Sequence, residues 1–125
     1  KEFSQKGGMF QMVQLWVNLP AKYKMSPPKY QPIGNAQMGK YELPDGQGTI
    51  EVIAGEYKGV KGPASTFTPI HMYNVRVKKG AKVTLNLPAN YNTGILVVEG
   101  QVNANGTATA PADNFILFKN EGEEI

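Results

Sequence analysis

Glycine and proline punctuate this chain too often for a long helix to fit between them. There are 14 glycines and 9 prolines in 125 residues, and each either admits positive φ or removes a backbone donor. The stretches between these interruptions alternate apolar and polar residues. Ile50, Val52 and Ala54 share one face of an expected strand, and Tyr73, Val75 and Val77 share a face of the next. Val83, Leu85 and Leu87 do the same, Ile95 to Val98 is continuously apolar, and Phe115 to Phe118 supplies one more strand. The run from Met12 to Leu19 is also rich in β-formers and is expected to be a strand with Trp16 and Leu15 in the core. Six or more short strands with no helices between them argue for an antiparallel sandwich or barrel.

The punctuation also places the turns. Pro20, Pro27, Pro28 and Pro32 forbid a central strand over 20–32, which therefore reads as a linker or extended arm, with Tyr23 and Tyr30 as its anchors. Pro44-Asp45-Gly46 predicts a turn in which a fixed φ is followed by residues tolerant of positive φ. Asn105-Gly106 predicts a tight hairpin. Lys79-Gly80 and the stretch from Pro88 to Gly94 are further turns.

Composition removes several kinds of chemistry. With no cysteine there are no disulfides, thiolate metal ligands or cysteine nucleophiles. His71 is the single histidine, whereas sulfur-free transition-metal sites usually draw two or three imidazoles from one chain. The net charge is +3, but the 13 basic and 10 acidic residues are interspersed, so no clustered basic face points to nucleic acid. No apolar run approaches the roughly 20 residues of a membrane-spanning helix, and no signal-peptide core precedes Asn18. A cytoplasmic location with no membrane partner is the default expectation. Nucleotide-binding, nucleophile-elbow and zinc-protease motifs do not occur.

Two stretches carry a family resemblance. Gln14-Leu-Trp-Val-Asn-Leu-Pro-Ala-Lys-Tyr-Lys-Met-Ser-Pro-Pro-Lys-Tyr-Gln31 is similar to the pirin signature at the junction between that family's two cupin barrels. Ile50-Glu-Val-Ile-Ala-Gly-Glu56, Gly62-Pro63 and Leu96-Val-Val-Glu-Gly100 resemble the C-terminal pirin barrel. The resemblance implies an all-β, cupin-type antiparallel β-barrel, or double-stranded β-helix (jelly roll). Residues 1–34 would be the end of an N-terminal cupin plus the inter-barrel connector, and residues 35–125 a C-terminal cupin barrel, truncated at its end.

Pirins are bicupins whose metal, iron or another divalent ion, sits in the N-terminal barrel on three histidines and a glutamate. By this resemblance those ligands would precede Lys1. The resemblance also implies that quercetin 2,3-dioxygenase-type oxidoreductase chemistry, with a small aromatic substrate, belongs to that other half. Counting back from Gly100, the cupin ligand positions fall on Asn86, Pro88 and Asn92. Proline cannot ligate and amide oxygens are weak ligands, so a metal and a catalytic residue are expected in neither this barrel nor its cavity.

The remaining candidates for a cavity lining are His71, Tyr73, Tyr91 and Asn92. A lone histidine on an apolar face is more often a hydrogen-bonded core or rim residue than a ligand. Asn90 to Asn92 reads as a turn, Glu121, Glu123 and Glu124 as a solvated terminus, and Glu51 with Glu56 as carboxylates without a cleft. The expected partner is the N-terminal cupin barrel of the same protein. The rival reading is a protein-interaction or transcriptional co-regulator module without catalysis, and a third is a purely structural domain.

Overall fold

The computed structural model describes residues 2–125, which form two compact units, Lys1–Lys78 and Lys79–Ile125. The first begins with a short helix α1, Glu2–Lys6, and holds strands β1 (Gly39–Glu42), β2 (Gly48–Ala54), β3 (Glu56–Tyr57), β4 (Val60–Lys61) and β5 (Met72–Val77). The second holds β6 (Gly94–Val97), β7 (Gln101–Ala104), β8 (Ala108–Pro111) and β9 (Asn114–Leu117). The sequence-expected boundary at residues 34 and 35 lies inside the first unit.

β2 is the centre of the first unit because Ile50, Val52 and Ile53 give it a β-branched spine. It pairs antiparallel with β1 on one edge and β5 on the other. Tyr41, Ile50 and Val75 stand in one register row and Gly39, Val52 and Tyr73 in another, so they share a face. Ile50 and Val52 have no exposed surface. The opposite face carries Lys40, Glu51 and Asn74 in one row and Glu42, Thr49 and Arg76 in the next. The register shifts between Val52 and Ala54, an irregularity of the bulge kind. The turn at Pro44 to Gly46 forms as expected, with Asp45 at φ 56° and Gly46 at φ 62°.

Residues 20–37 form a strap over this unit, as the prolines require. Tyr23 packs on Phe67 with ring centroids 5.1 Å apart. Gln31 makes a reciprocal pair with Ser65: its Nε2 donates to the Ser65 carbonyl at 2.9 Å, and its Oε1 accepts from the Ser65 N–H at 2.8 Å. Further along, a 3-10 turn at Asn35–Gln37 places the Asn35 amide against Glu51, 2.6 Å away. Tyr30 does not join these fastenings; it is 87% exposed, and the anchoring role expected of it falls to Gln31.

The strand expected over Met12 to Leu19 does not form. Residues 7–20 carry no regular structure, Trp16 is 85% exposed and Leu15 65%. High β-propensity makes a strand only where a neighbouring strand accepts the ladder, and among the described residues none pairs with this segment. Neither Trp16 nor Leu15 is therefore a core residue.

In the second unit β6 pairs with β9, and β7 with β8, both antiparallel. Asn105 and Gly106 adopt φ 52° and 68° and close the β7–β8 hairpin as expected. The strand expected over Val83 to Leu87 shrinks to a bridge between Asn86 and Glu124, held by the Leu85 and Ile125 backbones at 2.9 and 3.0 Å. Leu96, Phe115 and Leu117 share one face of the β6–β9 ribbon and are 42%, 62% and 71% exposed.

Candidate functional site

Four rings and an ammonium group gather on the apolar face of the first unit's sheet. Tyr41 arrives from β1 and Tyr73 from β5, carried to the same face by their rows opposite Ile50 and Val52. The β3–β4 hairpin folds over them and inserts Tyr57, which is 6% exposed. Its ring meets Tyr41 edge-on at 5.1 Å and 82°, and Tyr73 at 5.9 Å and 68°, the edge-to-face geometry that ring quadrupoles favour. At the hairpin tip Lys58 sits at φ 46°, and its ammonium lies 5.3 Å from the Tyr41 centroid and 5.5 Å from that of Tyr57. That contact adds a cation–π attraction to the pair.

His71 completes the cluster. Its Nδ1 is 2.7 Å from the Tyr73 hydroxyl, and that hydroxyl donates to the Glu56 carbonyl, also at 2.7 Å. The phenol has one proton to give and the carbonyl can only accept, so Nδ1 must donate to the phenol oxygen. Gly55 makes room for this arrangement. It lies at φ 76°, and a Cβ there would stand 2.7 Å from the Ile70 carbonyl and 2.9 Å from His71 Nδ1. The resulting surface offers flat ring faces and a hydrogen-bonded phenol–imidazole pair.

On the opposite face Glu51 is 5% exposed, yet both its oxygens are satisfied. Asn35 Nδ2 donates to Oε1 and Asn74 Nδ2 to Oε2, each at 2.6 Å, while Arg76 Nε lies 3.8 Å from Oε2. The Asn35 hydrogen bond is the main influence lowering the Glu51 pKa; burial opposes it, and Asn74, Arg76 and Lys40 reinforce it. The carboxylate is thus held in its charged form.

The four residues expected to line a cavity divide between the units. His71 and Tyr73 meet in the first. In the second, Tyr91 borders a cavity of about 200 Å³ together with Pro88, Phe118 and Glu123. Asn92 is exposed and accepts a hydrogen bond from Asn120 at 3.2 Å. Sequence reasoning missed Tyr41, Tyr57, Lys58 and the surroundings of Glu51. The available signal was alternation, with Tyr41 between the charged Lys40 and Glu42 and Glu51 between the apolar Ile50 and Val52; their partners come from elements distant in sequence.

No group of three His, Asp or Glu side chains converges among the described residues. The three positions counted back from Gly100 carry no imidazole or carboxylate: Asn86 lies in a backbone bridge opposite Glu124, Pro88 has no side-chain donor atom, and the Asn92 side chain is bonded to Asn120. No helix among the described residues is long and apolar enough to cross a membrane.

Comparison with known proteins gives consistent relatives. A crystal structure of quercetin 2,3-dioxygenase from Acinetobacter baumannii matches with a TM-score of 0.93 at 41% identity, over 98% of this chain and 43% of that one. A Pseudomonas aeruginosa protein, provisionally named a quercetin 2,3-dioxygenase, is 41% identical over 100 residues, covering 80% of this chain and 35% of that protein. A pirin-like protein of Solanum lycopersicum is 32% identical over 98% of this chain and 40% of its own length. The chain spans about a third of the length of the first curated relatives it matches. No family model matches it.

Proposed function

The chain belongs to the pirin family, and from that membership we propose that it is the non-catalytic C-terminal half of a cytoplasmic pirin-like bicupin. Its fold class is all-β, of the cupin type. In this reading the N-terminal barrel of the same protein holds iron or another divalent metal and carries quercetin 2,3-dioxygenase-type chemistry on a small aromatic substrate. The metal would bind the substrate and dioxygen there. This half contributes no ligand; it contributes the connector and a wall.

The carrying observation is the segment 12–19. Val13, Leu15, Val17 and Leu19 alternate along it, the segment bears no charge, and Val13, Leu15, Trp16 and Val17 are 50–85% exposed. An uncharged, β-prone segment without a ladder suits pairing with a sheet in the rest of a longer chain.

The test is flavonol turnover and metal content of the full-length protein, native and Leu15→Asp. Turnover at full metal loading that falls in Leu15→Asp supports the reading. A metal-replete native protein without turnover overturns its catalytic part.

A second reading is favoured by the exposed strap, where Met25 and Tyr30 are 94% and 87% exposed beside Pro27 and Pro28. Extended proline-rich segments dock in aromatic-lined grooves of other proteins, which suits a protein-interaction or co-regulator module. It predicts a defined partner retained by this half alone and lost when Pro27, Pro28 and Tyr30 are replaced by alanine.

A further inference from the structure

We propose that Glu51 is a charge-operated latch that fastens the end of the strap to the β1–β2–β5 sheet, and that neutralising it releases the strap while the sheet stays folded. The geometry divides the carboxylate between two elements. One oxygen takes the amide of Asn35, which belongs to the strap; the other takes the amide of Asn74, which belongs to β5. Asn35 is not free to turn round. Its Oδ1 accepts from the Lys40 ammonium at 2.8 Å, so its NH2 group must face Glu51. The turn behind it is closed by Gln37, whose Oε1 accepts from the Gly34 N–H at 2.7 Å. Pull on residue 35 is therefore pull on residue 34 and the prolines before it.

The cations on this face favour the closed state. Lys40 on β1 and Arg76 on β5 are cations, the strap turn supplies only amides, and the other carboxylate, Glu42, is occupied by the Thr49 hydroxyl at 2.8 Å. Burial alone would favour the neutral acid, so the Glu51 charge is kept by the two amides and the cations beside it. Protonation weakens two charge-assisted hydrogen bonds at once and ends the attraction of Lys40 and Arg76. The sheet loses little, because the β1–β2 and β2–β5 ladders are backbone bonds. The strap loses the Asn35 tie to β2.

The sign of the pH dependence follows. The Glu51 pKa is lowered in the folded chain, so the latch is fully closed above the ordinary glutamate value of about 4.3. It opens as pH falls through the lowered value.

Amide-exchange protection factors, corrected for intrinsic rates, test this on the full chain. In Glu51→Ala at neutral pH, protection over residues 31–38 should fall about tenfold or more, with β2 protection kept, since hydrogen bonds to charged groups are the strong class. The native chain should show the same fall on acidification. Asn35→Ala removes only the strap side and should reproduce it without touching β5. Unchanged protection over 31–38 in either variant, or loss of strap and sheet together on acidification, overturns the proposal.

Discussion

His71 and Tyr73 hold each other in one defined state: Nδ1 stands 2.7 Å from the phenol oxygen, whose own proton is committed to Glu56. The pair fixes the imidazole tautomer by geometry. Nitrogen NMR should accordingly find the His71 proton on Nδ1. Tyr73→Phe should abolish that preference and cost about 1 kcal/mol in a denaturant titration, the worth of an ordinary hydrogen bond. A native His71 protonated only at Nε2 would contradict the arrangement.

The deepest part of the first unit's core is two side chains of β2. Ile50 and Val52 are fully buried, so Ile50→Ala should cost about 2–5 kcal/mol in a denaturant titration, through lost transfer energy and the cavity left behind. Leu117→Ala, at a position 71% exposed, should stay within about 0.5 kcal/mol of the native chain.

Gly55 faces His71 at φ 76° with a carbonyl and an imidazole in the place of a Cβ. Gly55→Ala should lower stability by more than about 1 kcal/mol, because strain at positive φ adds to the clash. Its His71 resonances should move even where the chain remains folded. Gly59→Ala, also at positive φ but with nothing near its Cβ, separates the two effects, since only the strain remains there.

Leu15→Asp should leave the stability of this chain within about 0.5 kcal/mol of native, as expected of a surface change. Trp16 is the one tryptophan and is 85% exposed, so its fluorescence reports on the same segment without labelling. Emission should be that of a solvated indole in this chain and should shift to the blue in the full-length protein. An identical spectrum in both would remove the pairing assigned to residues 12–19.

The turns were legible because their chemistry is local. Asn105-Gly106 and Pro44-Asp45-Gly46 determine their own φ values, and the alternation of Ile50, Val52 and Ala54 names a buried strand before any partner is known. The segment 12–19 was misread for the complementary reason. Its residues announce a capacity for β-structure, and whether it is used depends on a second strand that the local pattern does not specify. The same limit hid Tyr41, Tyr57 and the Glu51 cluster. In the sequence Glu51 is a carboxylate without a cleft, and only the register that brings Asn74 beside it, with the strap that brings Asn35 over it, makes it a buried anion.

The clasp between Gln31 and Ser65 has a different kind of consequence. A primary amide presents one N–H and one C=O side by side, the same pair that a peptide unit shows its neighbour. Gln31 therefore acts as a borrowed piece of main chain, binding the loop as an adjoining strand would. Because it reads backbone and not side chain, position 65 can mutate to anything but proline without loosening the clasp. Position 31 has no such latitude: glutamate there would mimic the shape, yet it would set a second acceptor against the Ser65 carbonyl.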